Sequence, residues 1–106
     1  MIKITIIKHT EDYRGFVISG HAGYADHGSD IICSAVSALA VTTVNALESL
    51  AHVYVEAEQD DGYISCQFPN GLNDKGKLLV DAMILGMQQI RESYGKRYTQ
   101  VRFEEV

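Results

Sequence analysis

The sequence predicts an α+β fold, a two-layer sandwich in which a mostly antiparallel sheet carries two helices on one face. Apolar residues alternate with a period of two in five short stretches, the first four paired as hairpins around turn residues. Two longer stretches carry apolar residues at helical spacing, and nothing breaks the first of them. A doubly wound parallel sheet would need a helix after nearly every strand, and only two are available. The order is therefore β-β-α-β-β-α-β.

Ile2, Ile4 and Ile6 alternate with Lys3 and Thr5, and Ile7 extends the apolar run, so residues 2–8 read as a strand with one buried face. Residues 10–15 (TEDYRG) read as a turn and residues 15–20 (GFVISG) as the second strand of a hairpin. Residues 21–29 hold Gly23 and Gly28 among small and polar side chains and form a loop. From 30 to 51 nothing breaks a helix, and Ile32, Val36, Leu39, Thr43, Leu47 and Leu50 fall on one stripe as its core face. Residues 53–58 and 63–68 flank QDDG, a hairpin turn signal, before Pro69, Asn70 and Gly71 end the strand. Asn73 or Asp74 caps a second helix that runs to about Tyr94, with Gly95 just past its end. Residues 98–104 form the last strand. Repeats, low-complexity tracts and linkers are absent, so residues 1–106 read as one domain.

Composition narrows the function classes. Apolar residues make up 46% of the chain, ordinary for a globular protein. The first residues alternate like a strand and lack the apolar core and cleavage site of a signal peptide. No apolar run approaches the roughly 18 to 20 residues that cross a membrane. A cytoplasmic protein with no membrane partner is expected. Two cysteines, Cys33 and Cys66, are too few for a disulfide scaffold and fit reduced thiols. A net charge of -5 argues against nucleic acid as a direct partner, since phosphate binding wants a basic face. Acidic residues gather at Glu56, Glu58, Asp60 and Asp61 and again at Glu104 and Glu105, a solvated surface or, more sharply, an attraction for a basic protein substrate.

The segment around the first helix start carries the chemistry. His21 ends a strand, a glycine-bearing loop follows, and Cys33 stands in the first helical turn. Unpaired N–H groups and the helix dipole there favour a thiolate, and a histidine nearby can exchange its proton. Cys33 lies about 80° from the middle of the core stripe, and Asp30, Cys33 and Ser37, spaced i, i+3, i+7, share one helix edge. Ser29 or Asp30 can cap the helix, although the Asp30 carboxylate itself disfavours a nearby thiolate. His27 is a rival base in the same loop, whereas Cys66 reads as a packed strand residue. His21, His27, Asp30 and Cys33 offer nitrogen, oxygen and sulfur donors, but their spacing matches no compact zinc pattern, so no metal or other cofactor is expected. A cysteine nucleophile predicts fast alkylation of Cys33 well below pH 8 and slow reaction at Cys66. The competing reading is a non-enzymatic regulatory or binding module, with Cys33 merely packed.

Gly20-His21-Ala22, a short glycine-containing loop, Gly28-x-Asp30-Ile31-x-Cys33 and then Ala35-Val36-Ser37-Ala38 resemble the bacterial ribosomal-processing cysteine protease family, Prp. Ser34 departs from the small apolar residue expected there. The resemblance implies Cys33 as nucleophile and His21 as general base and acid, with Gly20, Asp30 and Ser37 supporting the site. It also implies a homodimer that removes a short N-terminal extension from a large-subunit ribosomal protein, the twenty-seventh in the usual naming. That extension typically ends in aromatic residues, so the site should accept an apolar segment of this ribosomal protein precursor. The loop residues Ala22, Gly23, Tyr24, His27 and Gly28 would order over the substrate, since only Tyr24 could anchor them. In the second helix Leu78, Leu79, Val80, Met83, Ile84, Leu85 and Met87 are more apolar than one sheet contact needs. Packing against the first helix, with Gly86 allowing close approach, or a homodimer would use the surplus.

Overall fold

A computed structural model describes residues 1–25 and 30–106. The elements follow the expected order: β1 (Ile2–His9), β2 (Asp12–Ser19), α1 (Ile31–Ser49), β3 (Glu56–Asp60), β4 (Tyr63–Gln67), α2 (Asp74–Tyr94) and β5 (Thr99–Glu105). The five strands form one mixed sheet in the order β3-β4-β2-β1-β5. Its neighbours are antiparallel except β1 and β5, which run parallel. The α+β sandwich read from the sequence is the observed architecture.

Strand alternation builds the core in rows. Ile4 pairs with Ile18 and Ile18 with Ile64, while Ile6 pairs with Phe16 and Phe16 with Cys66. All six side chains are buried, joined by Ile32, Val36, Ala40 and Leu47 from α1 and by Val80, Met83, Ile84 and Met87 from α2. Phe16 and Phe68 meet at a centroid distance of 6.2 Å with their planes tilted by 60°. Alternate strand residues turn away from this layer, which leaves Lys3 and Arg102 exposed.

The hairpin turns are tighter than their sequence signals suggest. Thr10 and Glu11 alone separate β1 from β2, so Asp12, Tyr13 and Arg14 join the strand. The pairing jumps from Ile7↔Gly15 to Lys8↔Tyr13, which leaves Arg14 as a bulge. Gln59 and Asp60 likewise belong to β3, with Asp61 and Gly62 making the turn. The start of that strand moves the other way, from residue 53 to Glu56. His52 takes a left-handed backbone (φ 56), the Val53 N–H donates to the Leu47 carbonyl at 2.8 Å, and Val53 is buried. These residues close the end of α1 before the chain can pair with the sheet.

The buried stripe of α1 is Ile32, Val36, Ala40, Thr43 and Leu47, not the one ending in Leu50, which is 66% exposed. Leu39 is half-buried and turned toward α2, where a Cβ on Gly86 would lie 2.6 Å from its Cδ2. The close helix approach expected of Gly86 is observed. By length and composition α1 would suffice to cross a bilayer, with a mean hydropathy of 1.6, contrary to the expectation that no run approaches that span. Its many alanines, with serines and threonines that cost little hydropathy, extend the apolar stretch beyond the buried stripe.

Candidate active site

The start of β1, the end of β2, the β3–β4 turn and the N-terminus of α1 meet at one end of the sheet, as the pairs Lys3↔Ser19 and Ser19↔Tyr63 require. Gly20 leaves β2 with φ +97, and a Cβ there would stand 2.5 Å from the Met1 carbonyl oxygen. Its N–H donates to the Gly62 carbonyl at 2.9 Å. Only glycine combines that conformation with that clearance. His21 follows, exposed, with its ring against Gly62.

Asp30 is the observed N-cap of α1. Its Oδ1 accepts from the N–H groups of Ile32 (2.9 Å) and Cys33 (3.1 Å), and its Oδ2 accepts from the Tyr24 N–H (3.0 Å). Burial pushes this carboxyl up, but backbone donors at Cys33, Tyr24, Ile32 and Ala25 together bring it below the usual carboxylate range. The rival cap Ser29 lies outside the described residues, as do the loop positions His27 and Gly28.

Cys33 is half-buried, and its Sγ accepts the Ala22 N–H at 3.3 Å. That bond ties the sulfur to the peptide joining His21 and Ala22. Burial pushes the Cys33 thiol up, Ala22 pulls it back, and the Asp30 carboxylate pushes it up again. The helix start therefore does not produce the lowered thiol expected of it. Fully buried Cys66 is pushed by burial up to about 11.

Gly20, His21, Asp30, Cys33 and Ser37 line one cavity of about 520 Å³. The shared edge of Asp30, Cys33 and Ser37 is thus the edge that faces the cavity. From the loop, Gly23 and Ala25 line it too. Ala22 is instead buried, and the Tyr24 ring packs edge-on against Tyr94 (5.9 Å) and Tyr98 (5.1 Å). The described part of the loop is anchored twice, more firmly than its small residues suggest. Among the described residues no group of three or more His, Cys, Asp or Glu comes together to hold a metal.

The cavity has a further wall at Gln59, Asp60, Asp61, Gly62 and Tyr63, where the sequence indicates a turn, an acidic group and a strand start but no site. Ile2, Ile18, Val36 and Ile64 give it an apolar lining. Two carboxylates of the acidic group therefore sit at the site, and the QDDG turn signal was the available clue.

The family model described as cysteine protease Prp matches residues 1–99. The ribosomal processing cysteine protease Prp of Bacillus subtilis is 34% identical, over 89% of this chain and 90% of its own. The crystal structure of an essential ribosomal processing protease Prp from S. aureus with a covalently linked product peptide has a TM-score of 0.91 at 26% identity, covering 98% of this chain and 100% of that one. A structure of the S. aureus protease with a substrate peptide matches at a TM-score of 0.86 and 25% identity, again over 98% and 100% of the two chains. With the family model matching residues 1–99 and the fold shared along almost the whole chain, this chain belongs to the ribosomal-processing cysteine protease family, Prp, and is a cysteine protease.

Proposed function

We propose that the protein removes a short N-terminal extension from a large-subunit ribosomal protein, the twenty-seventh, using Cys33 as nucleophile and His21 as general base and acid. The observation that carries the reading is the Ala22 N–H on Cys33 Sγ at 3.3 Å, which draws the thiol and the His21 peptide to one cavity. The Cys33 sulfur attacks the scissile carbonyl carbon while its proton passes to the His21 imidazole. The C–N bond then breaks, and the imidazole returns the proton to the departing amine. Water hydrolyses the thioester and frees the new C-terminus. The raised thiol fits this order, in which the proton leaves sulfur during attack rather than before it.

The hydrogen bonds at the helix start bear on the oxyanion donor. Ile32 and Cys33 give their N–H groups to Asp30 Oδ1, and Ser34 gives its own to the Asp30 carbonyl. The Ala22 N–H is already aimed at the reacting sulfur, so it is the donor we assign to the oxyanion. Ile2, Ile18, Val36 and Ile64 suit an apolar substrate segment, and Gly23 and Ala25 border it. Asp30 and Ser37 support the site from the helix edge.

The test is mass spectrometry of the ribosomal protein precursor incubated with wild type or Cys33→Ala. A single trimmed product with wild type alone is expected; trimming by pure Cys33→Ala would overturn the assignment. Cys33→Ser should be very weak, since an alcohol needs far more base assistance than a thiol. We also propose that the protein works in the cytoplasm as a homodimer and needs no cofactor, with no nucleic acid or membrane partner.

A further inference from the structure

We propose that Gly62, in the turn between β3 and β4, is a positioning residue for His21: it is glycine so that the imidazole can rest against its backbone. An ideal Cβ on Gly62 would stand 2.8 Å from His21 Nε2, 3.1 Å from Cε1 and 3.5 Å from Cδ2. The ring therefore occupies the space of the missing side chain. The same glycine accepts the Gly20 N–H at its carbonyl, 2.9 Å away, so it fixes the backbone just before His21 as well as the ring.

Turn chemistry alone does not account for this residue. With φ +68, position 62 favours glycine, but asparagine also tolerates that region and commonly serves in turns. Asparagine carries a Cβ, and the ring leaves no room for one. The conflict is cheap for the fold and expensive for the site. The obstructing atoms are the far end of one side chain, so the imidazole rather than the sheet would give way. A retreat of about half an ångström is enough to spoil a proton transfer that depends on hydrogen-bond reach. Asp60 at the end of β3, Asp61 in the turn, and Asp30 and Cys33 at the start of α1 line the same cavity, so a displaced ring would also meet a different set of charges.

This inference rests on the reading of His21 as the general base, and its test separates the two. Gly71 supplies the control: it has φ +76, and a Cβ there would meet nothing within 4 Å. Gly71→Ala therefore carries the backbone strain without a neighbour. His21 imidazole carbon-bound proton resonances, assigned by their loss in His21→Gln, would be recorded for wild type, Gly62→Ala and Gly71→Ala. Cleavage would be followed on a synthetic peptide spanning the cut site found by mass spectrometry.

We expect Gly62→Ala to move the His21 resonances and lower kcat about tenfold or more with KM little changed. Gly71→Ala should lose comparable stability with neither effect. Gly62→Asn, less strained at positive φ, serves if the alanine variant does not fold. Unmoved His21 resonances in Gly62→Ala and Gly62→Asn, or equal movement in Gly71→Ala, would overturn the positioning role. Resonances that move in Gly62→Ala while His21→Gln cleaves at the wild-type rate would retain the contact and reject His21 as the general base. Cleavage by wild type and Gly62→Ala at equal kcat would reject Gly62 and keep the protease.

Discussion

Asp30 receives backbone N–H groups from both the loop and the first helical turn, and that arrangement sets the state of the thiol beside it. A carboxylate so well supplied with donors stays ionised, and its negative charge adds to burial in disfavouring the Cys33 thiolate. A raised thiol keeps its proton to higher pH, so the reactive fraction falls about tenfold for each pH unit below the pKa. Iodoacetamide alkylation of Cys33, followed by peptide mass spectrometry, should climb with pH through 8 and beyond. Alkylation of Cys66, pushed up to about 11 in the core, should stay far slower until the protein unfolds. A Cys33 rate already level well below pH 8 would mean a preformed thiolate and would refute the proton-transfer order argued above. Asp30→Asn should hasten the Cys33 reaction near neutral pH, because it removes the opposing charge and leaves a competent cap.

At the scale of elements, Asn73 joins the two helices end to end. Its Oδ1 accepts the Gly76 N–H at 2.8 Å as the cap of α2, and its Nδ2 donates to the Ala51 carbonyl at 2.8 Å beyond the end of α1. Asn73→Ala should cost about 1 to 3 kcal/mol in urea unfolding, the sum of a lost cap and a carbonyl left without its donor. Asn73→Ser keeps the cap oxygen and should recover part of that loss. Equal losses in both variants would assign all of the effect to the Ala51 bond. The caps were legible in the sequence to within one residue, Asn73 or Asp74 and Ser29 or Asp30, because a cap depends on neighbours three residues away, and so was the edge shared by Asp30, Cys33 and Ser37. The cavity wall at Gly62 was not, because it depends on strand pairing that brings a turn some forty residues downstream beside His21. The late start of β3 was hidden for a related reason: Val53 and Val55 look like strand residues, but Val53 is committed to closing α1.

Across the whole molecule, α2 divides its apolar residues between two faces. Val80, Met83, Ile84 and Met87 are buried, and Leu39 closes over Gly86. Leu78 and Leu85 remain 68% and 56% exposed, seven residues apart with Ala82 exposed between them. Positions i, i+4 and i+7 lie along one helix stripe, so these residues form a seam that the fold leaves uncovered. A second copy of the chain presenting the same stripe would cover it with self-complementary geometry. Sedimentation equilibrium should therefore give about twice the 11.7 kDa chain mass at micromolar concentrations. Leu78→Asp combined with Leu85→Asp should return it to the monomer mass, since burying the new carboxylates without partners is costly. Wild-type thermal midpoints should rise with protein concentration and those of the double variant should not, because assembly stabilises the folded state by mass action. A wild-type mass of one chain at high micromolar concentration, with a concentration-independent midpoint, would reject the seam as a dimer contact.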